Sequence, residues 1–89
     1  MEVMVFGKQG CTACQTTKNK FKHYIEKYDF VNKVKLNFYD MEDIDGLSEG
    51  AMHNVINIPT TIFKKQDNEL VRWDGEVPKR QDFESYFQS

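Results

Sequence analysis

The chain has 89 residues, a net charge of -2 and two cysteines. That length makes one domain, residues 1–89, around a single core. The near-balanced charge argues against nucleic acid as the principal partner, and no apolar run approaches the ~20 residues that a membrane span needs. The chain opens on Met1-Glu2 and a short apolar run, Val3 to Phe6, which is too brief for a signal-peptide core. A cytoplasmic location is expected, and in that reducing setting a lone cysteine pair is catalytic more often than structural.

Glu2 to Phe6 reads as a buried strand, ended by a turn from Gly7 to Gly10 that contains Lys8. From Thr12 the apolar side chains fall at Cys14, Phe21, Tyr24, Ile25 and Tyr28, a 3.6-residue stripe that predicts a helix from Thr12 to Tyr28. Lys18, Lys20, Lys22 and Lys27 mark its wet side. Val34 to Tyr39 alternates, with Val34, Leu36 and Phe38 on one face, and predicts a second strand. A helix between two strands implies a right-handed crossover and parallel neighbours. Leu47, Ala51 and Val55 form a weak stripe interrupted by Gly46 and Gly50; a short helix over Leu47 to His53 is expected, with Asn54 as a left-handed cap. Ile58 to Phe63 reads as a strand entered through Pro59. Gln66-Asp67-Asn68 then turns the chain into an antiparallel return over Leu70 to Trp73, broken at Asp74-Gly75. Pro78 suits the first turn of a last helix whose Phe83, Tyr86 and Phe87 share a face. The order is βαβαββα.

Cys11 and Cys14 stand three apart, where the strand pattern gives way to the helical one. A thiol at a helix N-terminus meets unpaired N–H groups and the positive end of the macrodipole, both of which favour a thiolate. With Cys11 as N-cap, its sulfur can accept from Ala13 and Cys14, and its pKa is expected to fall from ~8.5 into the range of roughly 3.5 to 7.5. Cys14, one turn on, is close enough to close a disulfide. Zinc is the competing use of such a pair, but it takes four ligands, and His23 and His53 do not supply a second pair at the usual spacing. No metal is expected. Seven lysines between Lys8 and Lys35 face only Glu26 and Asp29, whereas Asp40 to Glu49 holds five acids and no base. The basic stretch is either a solvated face or a surface that steers an acidic partner toward the thiols.

Over nearly its whole length the chain resembles the thioredoxin/glutaredoxin superfamily. Val5 to Cys14, with Lys8 three residues before the first cysteine, is similar to the start of a glutaredoxin; His53 to Thr60 and Asn68 to Gly75 are similar to the proline segment and closing hairpin of thioredoxins. The resemblance implies an α/β thioredoxin-like fold, a four-stranded mixed sheet of order 2-1-3-4 with the third strand antiparallel, and a cis Ile58-Pro59 bond. It implies Cys11 and Cys14 as catalytic residues, with Lys8, Thr12, Ala13, Ile58, Pro59, Thr60, Trp73, Asp74 and Gly75 around the substrate; Trp73 could equally serve hairpin packing. The implied activity is reduction of protein disulfides by a monomer without a bound cofactor, recharged by a thioredoxin-reductase-like donor or by glutathione. A glutathione-dependent glutaredoxin and a redox-sensing or binding module without turnover are the alternatives.

The departures are specific. Gly10 and Thr12-Ala13 stand where thioredoxins carry tryptophan and Gly-Pro, and where glutaredoxins carry Pro-Tyr between the cysteines. Gly75-Glu76 replaces the glutaredoxin Gly-Gly pair, and Val5 replaces the buried acid that thioredoxins place six residues before the first cysteine. With no charge between the cysteines, a reduction potential of roughly -200 to -270 mV is expected.

Overall fold

The computed structural model describes residues 1–88. Seven elements appear in the expected order: β1 (Glu2–Gly7), α1 (Thr12–Lys27), β2 (Lys35–Asp40), α2 (Ile44–Met52), β3 (Thr60–Lys65), β4 (Asn68–Asp74) and α3 (Arg80–Phe87). The strands form one sheet in the order β2-β1-β3-β4. β1 runs parallel to β2, and β3 is antiparallel to both β1 and β4.

Both faces of β1 are covered. Val3 and Val5 join Phe21, Tyr24 and Ile25 of α1, Phe63 of β3, and Phe83 and Phe87 of α3 in one cluster. Met4 and Phe6 point the other way, to Ile62, with Tyr39, Met41 and Val55 packed alongside. A strand buried on both faces carries a continuous apolar run, which is why Val3 to Phe6 shows no alternation. The larger cluster is aromatic: Phe21 sits 5.5 Å edge-on to Phe63 and 4.8 Å from Phe83.

Helix ends follow local chemistry. α1 closes at Asp29, whose φ of 60° lets Phe30 N–H donate to Ile25 at 2.8 Å and turns the Phe30 ring onto Tyr24. α2 closes the same way at Asn54, as expected, with φ 56° and a 2.8 Å bond from Val55 N–H to Gly50.

β1, α1 and β2 end within one residue of the sequence expectation, and four larger differences stand out. α2 begins at Ile44 and turns Leu47 and Ala51 outward; its buried residues are Gly46 and Gly50. The glycines are the packing face because the end of β2 approaches the helix closely. A Cβ on Gly46 would overlap the Asp40 carbonyl, and one on Gly50 would lie 2.7 Å from the Met41 methyl. β3 begins at Thr60, after Ile58 and Pro59, which form a loop. The β3–β4 hairpin is longer than its apolar core, because ladder pairs continue through Lys64, Lys65, Asn68 and Glu69, residues whose polarity conceals the strand. Pro78 precedes α3 rather than lying in its first turn; it is fully buried as packing, and Lys79 is the N-cap.

Candidate active site

β1 ends at Gly7 against α1, because the close approach there leaves no room for a side chain. A Cβ at Gly7 would meet Cβ and Sγ of Cys14 at 2.6 and 2.8 Å. The turn that follows needs φ 81° at Gly10, in the left-handed region that glycine adopts freely. It delivers Cys11 as the N-cap of α1, with φ -89° and ψ 104°. Cys11 Sγ accepts from Cys14 N–H at 3.1 Å; the bond also expected from Ala13 is not formed. Cys11 is half-buried, Cys14 fully buried, and a disulfide joins them across a Cα separation of 5.2 Å. No acid occupies the first turn of α1, so the positive end of its dipole faces the sulfur unneutralised.

A second segment arrives at the same end of the sheet. Phe6 pairs with Thr60, so the ladder brings Pro59 level with Gly7. The Ile58-Pro59 bond is cis. Gly75 N–H donates to Pro59 O at 2.7 Å, and Thr60 Oγ1 donates back to Asn57 O. Gly75 has φ 73°, and a Cβ there would lie 3.3 Å from Asn57, so the corner after β4 closes over this loop. The loop is therefore held between the dithiol turn and the Asp74-Gly75 corner. The backbone N–H and C=O of Ile58 carry no hydrogen bond among the described residues.

Lys8, Thr12 and Ala13 are exposed around Cys11, and Lys8 has no ion-pair partner among the described residues. Trp73 is partly buried. Its ring packs edge-on to Phe63 at 5.1 Å and to Tyr86 at 6.4 Å, the hairpin-packing role. Asp74 remains at the corner, 3.5 Å from Arg72 Nη1. The lysines of α1 largely lie over rings rather than reaching the sulfurs: Lys18 is 5.0 Å from the Phe38 centroid and Lys27 5.5 Å from that of Tyr28. Val5, in the position of the thioredoxin acid, is fully buried. No group of three or more potential metal ligands occurs among the described residues, and no helix there is long and apolar enough to cross a membrane.

Sequence reasoning missed three contributors. Gly7 gives Cys14 its space; Asn57 supports the proline loop; and Thr17, buried beneath the dithiol, donates from Oγ1 to Ala13 O at 2.8 Å. The Cys14–Thr17 spacing on one helix face was the available signal for the last of these.

A half-exposed N-cap cysteine joined to a buried partner, on a β2-β1-β3-β4 sheet with a cis-proline loop alongside, defines a thioredoxin-type redox domain. The chain belongs to the thioredoxin family: the model described as thioredoxin domain matches residues 1–88. Among solved structures it is similar to thioredoxin 1 from Thermosipho africanus TCF52B, at 20% identity and TM-score 0.77, covering 99% of this chain and 96% of that one. A structure titled only as that of a malarial protein matches at 21% identity and TM-score 0.79, covering 98% and 92%. Fasciola hepatica thioredoxin matches at 20% identity and TM-score 0.76, covering 98% and 78%. No curated protein sequence matches the chain.

Proposed function

We propose that the protein is a thiol–disulfide oxidoreductase that reduces protein disulfides. The observation that carries this reading is the unequal pair itself: Cys11 is reachable at a helix N-terminus, and Cys14 is buried against Gly7 within bonding distance of it. The Cys11 thiolate attacks one sulfur of a substrate disulfide, the substrate S–S bond breaks, and the first substrate thiolate leaves. Cys14 then gives up its proton and attacks Cys11 Sγ; the second substrate thiolate departs with the electron pair, and the domain is left oxidised. The unbonded N–H and C=O of Ile58 suit pairing with an extended substrate segment as an added strand.

The same reaction supports a second reading, with glutathione as the reductant, which Lys8, without an ion-pair partner among the described residues, favours as a contact for a glutathione carboxylate. The two are separated by reducing the oxidised chain in one assay, either with an NADPH-linked thioredoxin reductase or with excess glutathione. Fast reduction by the reductase supports the protein-disulfide reading, and fast reduction by glutathione alone replaces it with the second. Failure of both donors, with no turnover on insulin disulfides, would reject both in favour of a sensing module.

A further inference from the structure

Thr61 carries the one buried side-chain polar atom among the described residues that has no hydrogen-bond partner, although the residue is completely buried. Such an orphan costs free energy, which calls for an explanation. Its place in the fold identifies the use. Thr61 pairs with Val5 across the β1–β3 ladder, and its side chain lies on the same face as Val5 and Phe63, beneath α1. Gly7, against which Cys14 rests, is its diagonal neighbour on that face, about 7–8 Å away along the ladder.

The helix above can be placed by its own contacts. Lys18 lies over Phe38 of β2, whereas Phe21 lies over Phe63 of β3, so Phe21 marks the β3 side of α1. Thr17 is one turn from Phe21 toward the dithiol, as Thr61 is one strand repeat from Phe63 in the same direction. The two buried threonines therefore face each other below Cys14. Thr17 spends its proton on Ala13 O and keeps lone pairs that can accept.

Resting on the proposed exchange activity, we infer that Thr61 is a positioning residue for the resolving step. In the reduced domain its hydroxyl and that of Thr17 hold one water against Cys14 Sγ, giving that water three partners, the usual number for a buried one. The hydrogen bond it supplies stabilises the Cys14 thiolate, and it passes the departing proton toward solvent. This is the task for which Val5 offers no acid.

The test is single-turnover oxidation of the reduced full chain by a bis-nitrobenzoate disulfide, followed by the absorbance of the released thiolate. Cys11 attacks the reagent, displaces one nitrobenzoate thiolate and retains the other in a mixed disulfide. Cys14 loses its proton, attacks Cys11 Sγ and releases the second. The protein dithiol is oxidised, the reagent is reduced, and the second phase reports Cys14 alone. Thr61→Val, which removes only the hydroxyl at constant shape, is expected to slow the second phase about tenfold at neutral pH and to move its pH midpoint up by about one unit, leaving the first phase intact. Thr61→Ser should restore the second phase to within about twofold of the wild type. A second phase unchanged in Thr61→Val, equal slowing of both phases, or no recovery in Thr61→Ser would overturn the assignment. A wild-type chain that releases no thiolate would instead reject the exchange activity itself.

Discussion

Gly7→Ala tests the central geometric feature of the site, the contact between β1 and the buried sulfur. The new methyl would sit 2.6 Å from Cys14 Cβ, 2.8 Å from Cys14 Sγ and 3.2 Å from the Phe38 ring, so something must move. Overpacking of this kind costs about 1–3 kcal/mol. The two redox states respond differently. The Cβ contact is common to both forms, but in the oxidised domain the disulfide to Cys11 also holds Cys14 Sγ in place, whereas in the reduced domain rotation about χ1 can carry Sγ away from the new methyl. A penalty larger by about 1.4 kcal/mol in the oxidised form makes that form easier to reduce, which raises the potential by about 30 mV for a two-electron couple. Two independent measurements must agree: denaturant unfolding of each redox form, and equilibration of the variant with glutathione buffers. An equal loss of stability in both forms, or an unchanged potential, would refute the argument that the glycine exists to seat the disulfide.

Cys11→Ser should abolish disulfide exchange, while Cys14→Ser should accumulate mixed disulfides visible by mass spectrometry; full activity in both would reject the assigned roles. Gly46→Ala should destabilise the domain by about 2 kcal/mol despite the gain of about 1 kcal/mol in helix propensity, because its Cβ meets backbone atoms of Asp40. Gly50→Ala meets only the flexible end of Met41 and should be close to neutral, so thermal melts showing equal effects at both sites would contradict this account. Tyr39 has its pKa pushed up to about 12, first by burial and then by the Glu2 carboxylate, which accepts its hydroxyl at 3.2 Å. The folded state therefore holds the phenol proton between pH 10 and 12 when the unfolded chain has lost it, so stability falls as pH rises through that interval. Tyr39→Phe should flatten that fall in alkaline denaturation curves; a slope equal to that of the wild type would count against the Glu2–Tyr39 contact.

Much of the molecule was legible before any coordinates. Period-2 and period-3.6 patterns located the elements with one buried face, since that face leaves a trace in its own residues, and β1, buried on both faces, was read from the continuous apolar run Val3 to Phe6. The dithiol was read from Cys11 and Cys14 because its chemistry needs two residues close in sequence and the helix start between them, all local features. The cis Ile58-Pro59 bond came from the resemblance, not from the residues themselves.

What the tertiary structure alone decided involves partners distant along the chain. The packing face of α2 was assigned to Leu47 and Ala51 by hydrophobicity, yet Gly46 and Gly50 occupy it, because the constraint is the nearness of Asp40 and Met41 rather than apolar area. Trp73, open in the sequence to either a groove or a packing role, is partly buried against the core because Phe63 and Tyr86 lie beside it. Thr61 is an unremarkable strand residue in the sequence; only the pairing with Val5 and the helix laid across that face make its hydroxyl a buried orphan. Periodicity reports which side of an element is dry, but which polar groups meet on that side is set by register and by the approach of other elements, and these are properties of the folded chain.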